Sequence, residues 1–249
     1  MDWGSLAGLV LGLIAIILGQ WVEGGQIGSL IQPAPLVIVV GGTFGAVLLQ
    51  NGLGNLVRGV LLLRSAFLPQ IDFYPALTST IHSWSTTARI EGFLKLDGHI
   101  NNYPDPFIAK GLRLIVDGVE DQKIRDILDI DITSYEREQR HAIKVWDAAG
   151  GYAPTIGILG AVLGLIHVME NLSDPLMLGK GIAVAFVSTL YGVGLANLVF
   201  IPIANKLKGH LQIEILKREM LADAFLCIKQ GEHSNLIQER MSSYWHQGH

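Results

Sequence analysis

The chain has 249 residues, of which 50% are hydrophobic and only 16% are charged, and its mean hydropathy is +0.40. A composition this apolar lies outside the usual range of soluble globular proteins and favours a membrane protein. The net charge of −4 leaves no basic surplus for nucleic-acid binding. The single cysteine, Cys227, excludes an intrachain disulfide and a Cys-x-x-Cys site.

Four segments lack Asp, Glu, Lys and Arg over a length that can cross a bilayer, whose core of about 30 Å takes roughly 20 helical residues. A buried helix of a soluble protein can look like one such segment, but several in one chain predict a polytopic membrane protein. No basic residue precedes the first segment, so we expect it to be retained rather than cleaved. The spans are Trp3–Val22, a stretch within Gly24–Val57 with its best core at Pro35–Leu53, Ala148–Met169 and Gly181–Asn205.

The basic residues predict the topology, because Lys and Arg are retained on the cytoplasmic side of membranes. They are concentrated between the second and third spans and after the fourth. The loops Glu23–Pro33 and Asn171–Lys180 together contain one basic residue, Lys180. We therefore expect these two loops to face outward and both termini to be cytoplasmic. The predicted domains are residues 1–53 (membrane helices one and two), 54–147 (a cytosolic helical domain), 148–205 (membrane helices three and four) and 206–249 (a cytosolic C-terminal helix and tail).

The segment between spans two and three has the apolar spacing of amphipathic helices and no strand pattern. We predict a helix over Thr86–Asp97, a turn at Asn101–Pro106 and a second helix from Pro106. Ile130–Trp146 and Ile203–Cys227 are predicted to continue spans three and four as helices. The expected fold class is therefore all-α. The apolar residues that recur at helical spacing are Leu112, Ile115, Val116, Val119, Ile124 and Ile127 or Leu128.

Spans three and four are rich in small and polar residues, including a Gly-x-x-x-Gly motif from Gly160 to Gly164. Small residues let helices pack closely in lipid and hydroxyls provide a polar face, so tight packing and an ion-facing surface are both open interpretations. Because no acid lies inside a span, an ion path needs a carboxylate from a partner helix. His167, the only imidazole in a span, is expected to be a packing or interface residue rather than a proton relay.

No enzyme motif is present, since the chain has no Gly-x-x-x-x-Gly-Lys-Ser/Thr phosphate loop, no His-Glu-x-x-His and no Gly-x-Ser-x-Gly. We expect no catalytic activity, no metal site and no cofactor. The energy source is then expected to be an ion gradient.

Two motifs carry a family resemblance that extends over essentially the whole chain. The segment YAPTIGILGAVLGL from Tyr152 resembles the third helix of flagellar stator A subunits in the MotA/TolQ/ExbB family, and LGKGIAVAFVSTLYG from Leu178 resembles the fourth. In addition, ARIEGFLKLD from Ala88 resembles the family's rotor-facing stretch. Relatives of the TolQ and ExbB type have fewer spans, so the span number favours a flagellar stator.

The resemblance implies a bacterial inner-membrane protein that forms a homo-oligomer, a pentamer, around a MotB- or PomB-like B subunit with a membrane aspartate. It implies a rotor contact with FliG through Arg89 and Asp97, where Asp97 stands in place of the usual Glu. It also implies coupling of ion flow to motion at Pro154 and Pro202. The residues assigned to the ion path and B-subunit interface are Thr155, Ala161, Ser188, Thr189, Tyr191 and Asn197.

The expected ion is H⁺, with Na⁺ as the alternative. Sodium stators of the family carry Thr at the position of Ala161, and a missing hydroxyl removes one oxygen ligand from a dehydrated Na⁺. Thr189 matches a second sodium-site threonine and Ser188 keeps another hydroxyl. The expected function is proton-driven torque generation in the flagellar motor. The alternatives are a TolQ- or ExbB-like subunit that energises an outer-membrane transport or envelope-integrity system, and a non-motor homologue.

Overall fold

The computed structural model describes residues 3–68, 74–100 and 103–247, and these residues form helices and connecting turns without a β-strand. The all-α fold class is thereby confirmed. Shorter 3₁₀ turns occur at Ile27–Leu30 and Phe93–Leu96, and π-helical turns at Val37–Gly41 and Ala196–Phe200. The α-helices are α1 Trp3–Val22, α2 Pro33–Leu36, α3 Gly42–Ala66, α4 Tyr74–Glu91, α5 Asp97–Ile100, α6 Pro106–Val116, α7 Asp121–Glu170, α8 Pro175–Leu195, α9 Ile201–Lys229 and α10 Ser234–Gln247.

Among the described residues, three helical stretches are long and apolar enough to cross a membrane: Ile27–Ala66, Asp121–Glu170 and Pro175–Lys229. A shorter apolar helix, Leu6–Val22, lies within α1. Each predicted span falls on one of these stretches. The second span is less regular than predicted, because a π-helical turn interrupts it and Gly52 leaves the helical conformation at φ 74° and ψ 163°.

The chain divides into two compact units, each assembled from two separate segments. The membrane unit consists of Met1–Pro69 and Arg140–Lys208, and the extramembrane unit consists of Gln70–Gln139 and Gly209–His249. The predicted boundaries at residues 53, 147 and 205 are the positions at which we expect the helices to leave the bilayer. They stay a prediction, because these units are defined by contacts within the protein.

In the membrane unit, α7 and α8 run antiparallel and approach each other closely through glycines. A Cβ added at Gly157 would lie 2.9 Å from the Ser188 carbonyl oxygen, and one at Gly164 would lie 2.8 Å from that of Gly181. A Cβ added at Gly192 would collide with the carbonyl oxygen of Ala153. Each position therefore allows backbone-to-backbone contact that a side chain would prevent.

The helix predicted over Thr86–Asp97 is wrong at both ends. Helix α4 begins at Tyr74 and ends at Glu91, because Gly92 adopts a φ of 88°, which an α-helix cannot accommodate. The 3₁₀ turn and α5 follow. In the predicted turn, Asn101 and Asn102 lie outside the described residues. The helix predicted from Pro106 is confirmed as α6, whose N-terminus is capped by Asp105 through a 3.0 Å bond from the Phe107 N–H.

The core of the extramembrane unit is built around Trp84. Its ring packs edge-on against Tyr103 and stacks with Phe225, with centroid distances of 5.1 and 5.9 Å. Of the alternatives in the predicted apolar pattern, Leu128 is fully buried, whereas Ile127 is 36% exposed. The helical spacing correctly predicted burial of Ile124 in α7, and the fold decides between the two alternatives in favour of Leu128.

Helix α10 is attached to this core by apolar and ionic contacts. Ile237 and Met241 are buried, and the Arg240 Nε lies 3.0 Å from the carboxylate of Asp223, which is itself 5% exposed. Arg125 approaches the same carboxylate at 3.6 Å. A buried carboxylate needs such partners, because leaving it unpaired would cost several kcal/mol, on the order of 3–5.

Replacing Gly192 with Ala should separate α7 from α8, because the new methyl group meets the Ala153 carbonyl oxygen. Gly194→Ala in the same helix is the matched control, since an added Cβ there has no atom within 4 Å. We expect G192A to lower the thermal unfolding temperature of the detergent-solubilised protein, with a loss of about 1–3 kcal/mol from overpacking. Equal melting temperatures for the two variants would contradict this packing.

Cys227 should react very slowly with thiol reagents in the folded protein. Burial raises the pKa of its thiol from 9.0 to about 12, and the side chain is 1% exposed. At pH 8 this pKa lowers the thiolate fraction by roughly a thousandfold. Above pH 9 the thiol of the unfolded chain ionises first, so the fold loses stability as the pH rises. Maleimide labelling should be complete only in denaturant, and rapid labelling of the native chain would contradict the burial.

Candidate ion path and rotor contact

The six predicted ion-path residues lie on α7, α8 and the π-helical turn that follows α8, all within the membrane unit. Their side chains differ in solvent exposure. Thr155 and Asn197 are exposed, whereas Ser188 is fully buried. The half-buried residues are Ala161, Thr189 and Tyr191.

Ser188 lies inside the contact between α7 and α8. It is 0% exposed, and a Cβ added at Gly160 would lie 2.8 Å from both its Cβ and its Oγ. The Oγ has no hydrogen-bond partner within the described parts of the chain. The serine therefore belongs to the helix packing of this chain, and the sequence could not distinguish it from the neighbouring Thr189, which is only half-buried.

Three of the polar residues donate a hydrogen bond to their own helix. The Thr155 hydroxyl donates to the Tyr152 carbonyl at 2.8 Å, and the Asn197 amide to that of Val193 at 2.9 Å. The Thr189 hydroxyl reaches the Ala185 carbonyl at 3.3 Å. Since both threonine hydroxyls already donate, their oxygens are left to act as acceptors, and the Asn197 amide offers its Oδ1 as an acceptor beside a second N–H. This surface can accept a proton-bearing group or an ion, but it has no acid to release a proton.

Tyr191 is engaged within the chain. Its hydroxyl donates to the Leu30 carbonyl at 2.6 Å and accepts from the Gln32 N–H at 3.2 Å. The tyrosine therefore attaches the segment before α2 to α8. Its assignment to the B-subunit interface stays a prediction, and the hydroxyl would have to exchange these bonds to serve an ion.

The two prolines occupy different helical environments. Pro154 lies inside the continuous helix α7. Pro202 lies in the first turn of α9, directly after the π-helical turn Ala196–Phe200. Proline lacks the N–H that would complete the helical ladder, and a π-helical turn is one way in which a helix accommodates such a gap. Sequence reasoning found the prolines but missed the π-helical turns, for which it had no signal.

An ion pair that the sequence did not predict joins α7 and α9 within the membrane unit. The Lys208 Nζ lies 2.7 Å from the Asp147 carboxylate. Both side chains are about two-fifths exposed, at 44% and 38%, so the pair contributes only about 0–1 kcal/mol. Next to it, the buried Trp146 Nε1 donates to the Gly59 carbonyl at 2.9 Å and ties α7 to α3.

His167 is exposed near the end of α7. Its Nδ1 lies 4.0 Å from the Glu170 carboxylate, with which it pairs only when the imidazole is protonated. This contact lies within one helix, and the role of His167 as a packing or interface residue stays a prediction.

The predicted rotor contact lies in the extramembrane unit. Arg89 lies in the last turn of α4 and Asp97 is the first residue of α5, and both side chains are exposed. Gly92 separates them and turns the backbone. The structure thus presents both charges to solvent on one segment, and their contact with a rotor stays a prediction.

Comparison with known proteins identifies a matching family and similar full-length proteins. Residues 99–220 match the model of the MotA/TolQ/ExbB proton channel family. The chemotaxis protein PomA of Vibrio alginolyticus is 34% identical over 249 residues, which cover 100% of this chain and 97% of that protein. Motility protein A of Aquifex aeolicus is 33% identical, over 96% of this chain and 94% of that protein.

The fold is shared with solved structures. The flagellar MotAB stator complex from Bacillus subtilis matches with a TM-score of 0.86 and 31% identity, over 94% of this chain and 92% of that chain. The C. jejuni MotAB structure matches with a TM-score of 0.92 over 98% and 96% of the two chains, and at 23% identity this likeness concerns the fold alone. From the full-length relatives and their common fold, the chain belongs to the MotA/TolQ/ExbB proton channel family.

Proposed function

We propose that the chain is the A-type stator subunit of a bacterial flagellar motor, which forms an ion channel with a B-type subunit and generates torque on the rotor. One observation carries the proposal. The pair α7 and α8 presents polar oxygens within spans that contain no Asp, Glu, Lys or Arg. Full-length relatives named for motility and chemotaxis support it.

The missing carboxylate comes from a membrane aspartate of the partner, a MotB- or PomB-like subunit. Its helix lies against the face of α7 and α8, where Thr155, Thr189 and Asn197 offer acceptor oxygens. A protonated aspartate donates to these oxygens, whereas an ionised one is repelled by them. Each change in protonation of the aspartate therefore alters how strongly the partner helix binds to α7 and α8. This difference in binding free energy drives one step of motion.

Motion follows from repeating that step around a ring. We propose a pentamer of A subunits around a pair of B subunits, in which the π-helical turn and Pro202 let the end of span four bend. The rotor-facing segment with Arg89 and Asp97 then contacts FliG. The loops at residues 23–33 and 171–180 face outward from the inner membrane, and both termini are cytoplasmic, because all Lys and Arg residues except Lys180 lie elsewhere.

The transported ion is H⁺ in this proposal. Ala161 follows Gly160, which packs on Ser188, and it brings no oxygen to this region. A dehydrated Na⁺ requires several oxygen ligands, whereas a proton needs only one acceptor at a time. Thr189 alone does not complete a sodium site.

Deletion of the gene should leave flagella assembled but paralysed, and the unmodified gene should restore swimming.

The complex purified with its B subunit should conduct ions in liposomes, whereas the chain alone should not, because its membrane spans contain no acid. Replacing the partner's membrane aspartate with asparagine should abolish both conduction and swimming. Normal swimming with loss of envelope integrity, or conduction by the isolated chain, would contradict the proposal.

Ala161→Thr tests the choice of ion. Rotation speed with the unmodified chain should follow the proton gradient and should not change when external sodium is replaced by potassium. A161T adds a ligand oxygen, so we expect its speed to become sensitive to sodium. Ala161→Val adds a similar volume without the oxygen and should show no sodium response. If the unmodified stator already follows sodium, the proton assignment is wrong.

A further inference from the structure

Two large aliphatic side chains project into solvent within the predicted rotor contact. Ile90 is 78% exposed and Leu94 is 77% exposed, and we call them the aliphatic pair. They are the most exposed of the large aliphatic residues in the described parts of the extramembrane unit. Solvent exposure of both side chains is unfavourable, since apolar surface that stays in water contributes nothing to the stability of the free protein.

The aliphatic pair is held outward by its neighbours. Ala88 and Leu96 are buried on either side of it, at 7% and 0% exposure. Phe93 is half-buried, and the Lys229 Nζ lies 5.0 Å from the centre of its ring. The segment is thus anchored at several points, so the two side chains do not point outward merely because the backbone is loose.

Charged side chains surround the aliphatic pair. Arg89 precedes Ile90, and the carboxylate of Glu91 lies 3.8 Å from the Lys95 Nζ across the turn at Gly92. Asp97 follows, and all four charged side chains are exposed. An apolar centre with a rim of charges is the usual anatomy of a protein–protein contact, in which a few central residues carry most of the binding energy.

We propose that Ile90 and Leu94 are the apolar centre of the rotor contact, a role that rests on the proposed function. The partner surface is an aliphatic groove on the rotor, with an acidic side chain placed for Arg89 and a basic one placed for Asp97. The two acids of the rim, Glu91 and Asp97, balance its two bases, so the surface has no net positive charge to attract the anionic headgroups of a membrane. The rim charges align the two proteins, and burial of the aliphatic pair holds them together.

The test uses the complete stator complex and the purified rotor protein. Ile90→Ser with Leu94→Ser should weaken rotor binding by at least about tenfold and reduce the torque of tethered cells. Ile90→Met with Leu94→Met keeps the apolar area and should bind nearly normally. Ile130→Ser removes another exposed aliphatic side chain, 66% exposed in the same unit, and should have no effect on rotor binding.

Two further measurements distinguish failure of the proposed apolar centre from failure of the rotor contact itself. Subunit assembly of the double-serine variant should be unchanged in gel filtration, and its binding defect should persist at high salt, whereas the defect of Arg89→Glu should depend on salt. Normal rotor binding by the double-serine variant, or loss of assembly, would overturn the apolar centre. If Arg89→Glu also leaves binding and torque unchanged, the rotor contact of the proposed function fails as well.

Discussion

Close approach of α7 and α8 is the constraint on which the membrane unit depends. In lipid there is no hydrophobic driving force for two apolar helices to associate. Close van der Waals packing between their backbones therefore has to supply the attraction. Gly157, Gly164 and Gly192 make that contact possible, because each meets backbone atoms of the other helix. The contact between α7 and α8, which we call the seam, buries Ser188 and leaves Thr155 exposed. The packing that stabilises the helix pair therefore also determines which side-chain oxygens a partner can reach.

The spans could be predicted because an uninterrupted apolar segment of about 20 residues is typical of a membrane helix and rare in soluble folds. The absence of Asp and Glu from the spans could be read directly from the positions of these residues in the sequence. The end of α4 could not be predicted, since Gly92 permits a helix as well as the φ of 88° that the fold gives it. Helical periodicity favoured Ile127 and Leu128 equally, and only tertiary packing buries the second. The resemblance placed six residues in one ion path, whereas their burial divides them between the seam, a loop attachment through Tyr191 and the outer surface.

The polar residues of spans three and four satisfy two requirements together. Each donor that is paired with a carbonyl of its own helix avoids the cost of an unpaired group in lipid. The same pairing leaves oxygen acceptors, and spans three and four contain no Asp or Glu, so a carboxyl group on this face has to come from a partner. Division of the chemistry between two polypeptides is therefore a consequence of side-chain type and not only of assembly.

The burial of Cys227 has a practical consequence for mapping neighbours. A cysteine introduced at an exposed position, such as that of Thr155 or Asn197, would be the only thiolate that forms readily at neutral pH. Crosslinking to a matching cysteine in another subunit could then be read without first removing the native residue. The natural chain can thus serve directly as the background for disulfide scanning of its contacts.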